Sequence, residues 1–168
     1  MKHKVEMMKC RIAYADPPYI GQARKHYNSE EVDHKKLIYQ LMDYDGWALS
    51  LSSTTLQVIL AMCPEKVRVG AWVKPFSSFK PNVNPAYAWE PVIFKPARAR
   101  GREKLTVRDW VSTSITLRKG LSGAKPEAFS FWLFEILGAE PIDEFIDMFP
   151  GTGAVSRAWD KWKTGAMK

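Results

Sequence analysis

YADPPYIG, residues 14–21, decides how the rest of the chain is read. The apolar run before it, with Cys10, Ile12 and Ala13, reads as a buried strand, and it ends abruptly in Asp16, Pro17, Pro18 and Tyr19. Open α/β sheets place ligand sites just beyond the C-terminal ends of their strands, so a carboxylate, a stiff backbone and an aromatic ring at this point mark a candidate site. Each proline fixes φ and lacks an N–H, which leaves the carbonyls of Asp16 and Pro17 available to donors from elsewhere. Such a group of acceptors suits an amino group.

A second segment stands near the other end: DMFPGTGAVSRAW, residues 147–159, a glycine-rich turn after the strand-like Glu144, Phe145 and Ile146. Between the two, strand-like and helix-like runs alternate. Ser29, Glu30 and Glu31 precede Leu37, Ile38, Leu41 and Met42 on one helical face, so Ser29 is expected to cap a helix there. WALSLSS (47–53) and VRVGAWV (67–73) read as strands, with a short helix through Leu56, Ile59 and Leu60 between them, capped by Ser53 or Thr54. PVIF (91–94) reads as a fourth strand, residues 127–137 as a helix with a broad apolar stripe, EFIDMF (144–149) as a fifth strand, and Val155, Ala158, Trp159 and Trp162 as the face of a last helix. This alternation predicts an α/β sheet, parallel at first with a final antiparallel hairpin.

A chain of 168 residues with 46% hydrophobic and 12% aromatic residues has the length of one domain and enough apolar surface for a substantial core. The net charge of +7 favours phosphate polyanions as partners. Cys10 and Cys63 lie in apolar runs and read as free thiols of a reducing compartment, and with His3, His26 and His34 they make no metal-ligand spacing, so no metal is expected. No run reaches the length of a membrane span and no apolar stretch follows the charged N-terminus, which predicts a soluble, cytoplasmic protein without membrane association.

DPPY resembles the catalytic motif of the amino-methyltransferases that act on exocyclic nitrogens of nucleobases, and DMFPGTG resembles that family's glycine-rich S-adenosylmethionine loop, D-x-F-x-G-x-G. The glycine loop comes last here, as in the circularly permuted members. Lys125 and Pro126 before the apolar helix, WVKP (72–75) and WEPVIF (89–94) also look like parts of that arrangement. The resemblance implies a Rossmann-like methyltransferase sheet of about five strands, mostly parallel with an antiparallel hairpin and flanked by helices, within a single domain spanning 1–168. It also implies that the glycine-loop strand lies beside the DPPY strand.

The activity implied is transfer of a methyl group from S-adenosylmethionine to the N6 amine of adenine in DNA, with RNA as the alternative polymer. Aspartate at the first motif position points to adenine, where serine is commoner for cytosine N4 and asparagine for protein glutamine. By this resemblance Asp16, Pro17, Pro18 and Tyr19 form the catalytic group: the Asp16 carboxylate and Pro17 carbonyl take the amine hydrogens and Tyr19 stacks on the base. Asp147, Phe149, Pro150, Gly151, Thr152, Gly153 and Lys125 form the cofactor side, with Asp147 on the methionine ammonium and Lys125 on its carboxylate or on the loop.

The family's pattern continues into a further strand whose acidic end holds the ribose, and no Asp or Glu stands at that place in this sequence. The last strands of the full fold are therefore expected to be lacking and the nucleoside end of the cofactor weakly held, with a second copy or a partner subunit completing the pocket. The other reading is a non-catalytic nucleic-acid-binding module or one subunit of a heteromeric methyltransferase. Lys95, Arg98, Arg100, Arg102 and Lys104 make the densest basic segment and are candidate nucleic-acid contacts, within an irregular surface excursion expected at 96–124.

Overall fold

The computed structural model describes residues 8–21, 30–76, 81–115 and 124–165. Its centre is two strands whose side chains are buried on both faces, β1 (Arg11–Ala15) and β2 (Gly46–Ser50), as expected of parallel strands covered by helices on either side. The side-chain period of two divides the core into two layers. Ile12, Tyr14, Ala48, Val92 and Phe94 face one way, against Phe129, Leu133, Phe134 and Trp159 of the helices α3 (Glu127–Ile136) and α4 (Ala154–Lys163). Ala13, Ala15, Trp47, Leu49 and Ile93 face the other way, against Leu37, Ile38 and Leu41 of α1 (His34–Leu41) and Ile59 of the short α2 (Leu56–Leu60).

The remaining strands are β3 (Arg68–Val73), β4 (Trp89–Lys95), β5 (Trp110–Ser112) and β6 (Glu144–Asp147), and the sheet order is β5-β3-β4-β2-β1-β6. Every neighbouring pair is parallel except the two that β4 makes, with β2 and with β3. The chain thus leaves β1 toward one edge, builds β2 to β5 there, and crosses back to lay β6 on the other flank of β1. That reversal falls between β1 and β6, and the C-terminal ends of strands at such a switch point are where open sheets bind ligands.

The mixed α/β sheet with its antiparallel hairpin agrees with the sequence reading, and the β6–β1 neighbourhood is as expected. The strand number differs, with six in place of about five. The additional strand, β5, lies inside the segment expected to be irregular. Indole N–H groups explain its order: Trp72 of β3 donates to the Thr113 carbonyl and Trp132 of α3 to that of Arg108, each at 2.9 Å, and Ala71 pairs with Trp110. Three residues are too few to show a period, so tertiary hydrogen bonds rather than pattern make this strand.

Two caps also differ. Ser29 lies outside the described residues, and the cap of α1 is Asp33, four residues further on, which accepts from the Lys36 N–H at 3.0 Å. Ser52, not Ser53 or Thr54, caps the 3₁₀ turn Ser53–Thr55 that leads into α2. Residues 116–123 of the basic excursion lie outside the described residues. Among the described residues no helix is long and apolar enough to cross a membrane.

Candidate active site

Tyr14 pairs with Asp147 across β1 and β6, and the Met148 N–H continues the ladder to the Tyr14 carbonyl at 2.9 Å. Asp16 and the loop Phe149–Gly153 therefore leave the sheet side by side from the same edge. On the other flank of β1, Ala15 pairs with Leu49, and the Tyr14 hydroxyl meets that of Ser50 at 2.8 Å in the core. This buried link holds the strand end that delivers Asp16. Pro17 is buried, while Pro18 and Tyr19 are partly open.

The glycine loop uses left-handed backbone twice, at Gly151 (φ 47°) and Gly153 (φ 71°), where any side chain would strain the turn. A Cβ at Gly151 would meet only the Phe149 carbonyl, 3.9 Å away, so conformation rather than crowding demands glycine there. Gly153 is the cap of α4, whose first N–H groups have no partner within the helix. Asp147 accepts from the Phe149 N–H at 3.2 Å and from Ser156. Burial and the facing Asp16 carboxylate raise its pKa against those hydrogen bonds. An anion-seeking helix end and a carboxylate side by side suit a ligand carrying both a carboxylate and an ammonium, such as an amino acid.

Four charged side chains close the other wall. The Lys125 ammonium, only 6% exposed, is 2.9 Å from Asp16 Oδ2 and 3.4 Å from Glu90 Oε2. It lies over the rings of Trp72 and Phe129, at 5.3 and 5.9 Å from their centroids. Glu90 also accepts from Lys74 and, at 2.8 Å, from the Tyr19 hydroxyl. Desolvation raises the Asp16 pKa, with Lys125 opposing it and Glu90 adding to it. Burial raises and the two lysines lower that of Glu90, and the lysines prevail. Lys125 is itself desolvated, yet Asp16 and Glu90 hold its pKa above the usual value.

Lys125 is thus engaged with the acidic side of the site, whereas the sequence reading put it on the cofactor's carboxylate or on the loop. Glu90 and Lys74 escaped that reading. They sat inside WEPVIF and WVKP, recognised only as hairpin strands, although a glutamate interrupting an apolar strand was a usable signal.

The five basic candidates lie elsewhere. Lys95 pairs with Trp47 while Val92 pairs with Ser50, so 95–104 begins at the end of the sheet opposite Asp16. Arg98 bridges to both oxygens of Asp143 at 2.5 and 2.6 Å, Arg100 to Glu135 at 2.7 Å, and Lys104 to Glu140. Lys95 and Arg102 are exposed. Among the described residues no cluster of His, Cys, Asp and Glu is placed to hold a metal ion, and Cys10 and Cys63 are free and partly buried.

Comparison of the whole chain with solved structures gives a match to the crystal structure of the M1.HpyAVI–SAM complex. The TM-score is 0.63 at 17% sequence identity, over 93% of this chain and 79% of that one. The crystal structure of M1.HpyAVI matches with a TM-score of 0.62, also at 17% identity, over 93% of this chain and 78% of the other. The fold is methyltransferase-like. No protein-family model matches the chain, and no curated protein matches it in sequence. In this methyltransferase-like fold, DPPY follows the interior strand β1 and the glycine loop follows its neighbour, the edge strand β6.

Proposed function

We propose that this chain transfers the methyl group of S-adenosylmethionine to the exocyclic N6 amine of adenine in DNA. The observation that carries the proposal is the pairing of Tyr14 with Asp147, which sends an amine-accepting carboxylate and a glycine-rich loop out of the same sheet edge on adjacent strands. The similarity to a structure solved with SAM supports the cofactor.

S-Adenosylmethionine, when bound, supplies a methyl group on a sulfonium. Its amino-acid end fits the residues present: the α4 N-terminus with Gly153 for the carboxylate and Asp147 for the ammonium, with Phe149, Pro150 and Thr152 walling the loop. The chemical difficulty lies in the amine, whose lone pair is delocalised into the purine. Asp16 and the Pro17 carbonyl each take one N–H, which draws the nitrogen toward sp³ and points its lone pair at the methyl donor. The two prolines keep those acceptors from rotating away. Tyr19 stacks on the base, which leaves the duplex to reach it. Alignment for in-line displacement and stabilisation of the charge growing on nitrogen supply most of the acceleration, and the proton that the nitrogen sheds once methylated passes by way of the Asp16 carboxylate to solvent.

The test is mass spectrometry of nucleosides from DNA incubated with the protein and methyl-labelled cofactor. Labelled N6-methyl-2′-deoxyadenosine is expected from the wild type and none from Asp16→Ala, which should still bind S-adenosylmethionine in calorimetry. Equal label from both proteins overturns the role of Asp16. Absence of cofactor binding, with or without DNA, overturns the enzymatic reading in favour of a binding module.

A further inference from the structure

Glu90 touches both halves of the site. It pairs with Trp72 across β3 and β4, so its side chain emerges on the sheet face that carries Trp72, Phe129 and the start of α3. Its carboxylate accepts the Tyr19 hydroxyl at 2.8 Å and the Lys74 ammonium, and it shares the Lys125 ammonium with Asp16. One side chain of the hairpin thereby reaches the stacking ring directly and the amine acceptor through a single lysine.

Four charges in a nearly closed wall are not there for stability alone. The desolvation of such groups offsets most of their attraction, and apolar side chains of similar volume often do as well. What the arrangement supplies is fixed geometry. Trp72 and Phe129 lie under the Lys125 ammonium, and Glu90 divides the ammonium's hydrogens with Asp16, so Lys125 orients Asp16 without saturating both of its oxygens. The Tyr19 hydroxyl is held by the same carboxylate, which fixes the tip of the ring and so restrains its swing about the Cα–Cβ bond.

We infer that Glu90 is a positioning residue for the transfer reaction, setting the ring of Tyr19 and, through Lys125, the carboxylate of Asp16 in one mutual orientation around the base. The inference rests on the methyl-transfer reading above. The charged and titratable groups acting on Asp16 are Lys125 ahead of α3, Glu90 and Lys74 on the hairpin, Tyr14 on β1 and Asp147 on β6. Among them Glu90 is a source of upward pressure on the Asp16 pKa, which gives it an electrostatic signature separable from folding.

The experiment compares Glu90→Gln and Glu90→Asp with wild type by two readouts: the Asp16 carboxyl titration followed by carbon-13 NMR, and the pH dependence of kcat for labelled methyl transfer to duplex DNA. In Glu90→Gln the Asp16 midpoint and the acid limb of kcat are expected to move together to lower pH. The neutral-pH kcat should fall on the order of tenfold, because the acceptor and the ring lose their common anchor, while KM for the cofactor stays put. Glu90→Asp keeps the charge and should return the midpoint to its wild-type position, yet kcat should stay low because the shorter side chain no longer reaches Tyr19.

An unmoved midpoint in Glu90→Gln, or full kcat in Glu90→Asp, overturns the inference for an active wild type. Absence of transfer by the wild type itself overturns the methyl-transfer reading, and this inference with it.

Discussion

The two ends of the sheet carry similar numbers of opposite charges and use them differently. At the end where β1 and β6 stop, Lys125, Asp16, Glu90 and Lys74 form a wall with Tyr19 at its rim, and the glycine loop leaves the neighbouring strand. At the other end Asp143, whose side chain is fully buried, accepts both arms of Arg98 and the N–H groups of Cys10 and Glu140. That second cluster is complete. It joins the start of β1, the start of β6 and the turn after α3, where Arg98 also donates to the Gly138 carbonyl at 3.3 Å. The difference shows that charge density does not mark a binding surface; what matters is whether the charges have already satisfied one another.

The largest effect that would break this contrast is expected from Lys125→Met. It removes the ion-pair partner of Asp16 and leaves Glu90 with only Lys74 and Tyr19, so a loss of about 3–5 kcal/mol in urea unfolding is expected, along with loss of methyl transfer. If the variant keeps both stability and transfer, the wall is ornamental. Asp143→Ala should cost somewhat less, about 3 kcal/mol, by leaving the Arg98 guanidinium without its carboxylate, with only the Gly138 and Met8 carbonyls to accept from it, and two N–H groups without acceptors. Its kcat, normalised to folded protein, should equal that of wild type, since nothing at that end touches the reacting groups.

Acid should separate the two ends without any mutation. The Asp143 pKa is held below the ordinary carboxylate value by Arg98 and by two backbone hydrogen bonds, against the cost of its burial. A depressed folded pKa means stability that is present above the unfolded carboxylate value and lost as pH falls through the folded one. The Asp16 pKa is raised by burial, so the folded state takes up that proton before the unfolded chain does, and protonation there removes the acceptor that the proposed transfer uses without unfolding the protein. Transfer activity is therefore expected to fall at a higher pH than the acid unfolding midpoint followed by circular dichroism. Coincident midpoints would sink this separation.

The smallest effect belongs to Lys104→Ala. Its bridge to Glu140 is solvent-exposed on the lysine side, so the change in stability should stay below about 1 kcal/mol. Because its segment lies across the sheet from Asp16, the salt dependence of DNA binding should keep its wild-type slope. A shallower slope would restore residues 95–104 as a nucleic-acid contact.

Much of the fold was legible because its signals are local. The buried runs at 11–15, 46–50 and 91–94 and the apolar stripe of 127–136 announce strands and a helix by period alone. β5 was not legible, because its three residues are held by indoles of Trp72 and Trp132 that lie far off in sequence. The candidate site divides along the same line. Asp16 with its two prolines, and the glycine loop with its two left-handed residues, are constraints written into consecutive residues. Glu90, Lys74 and Ser156 were missed because each acts through a partner that only folding supplies.

By itself, then, the amino-acid order determined an α/β sheet with a carboxylate and two prolines ending one strand and a glycine turn ending another, since backbone restriction and side-chain period are properties of neighbours along the chain. The tertiary structure alone decided that Lys125 turns to Asp16 and Glu90, and that Arg98 turns to Asp143. Coulomb attraction acts through space and is settled only when folding brings partners together and removes the water that would otherwise screen them.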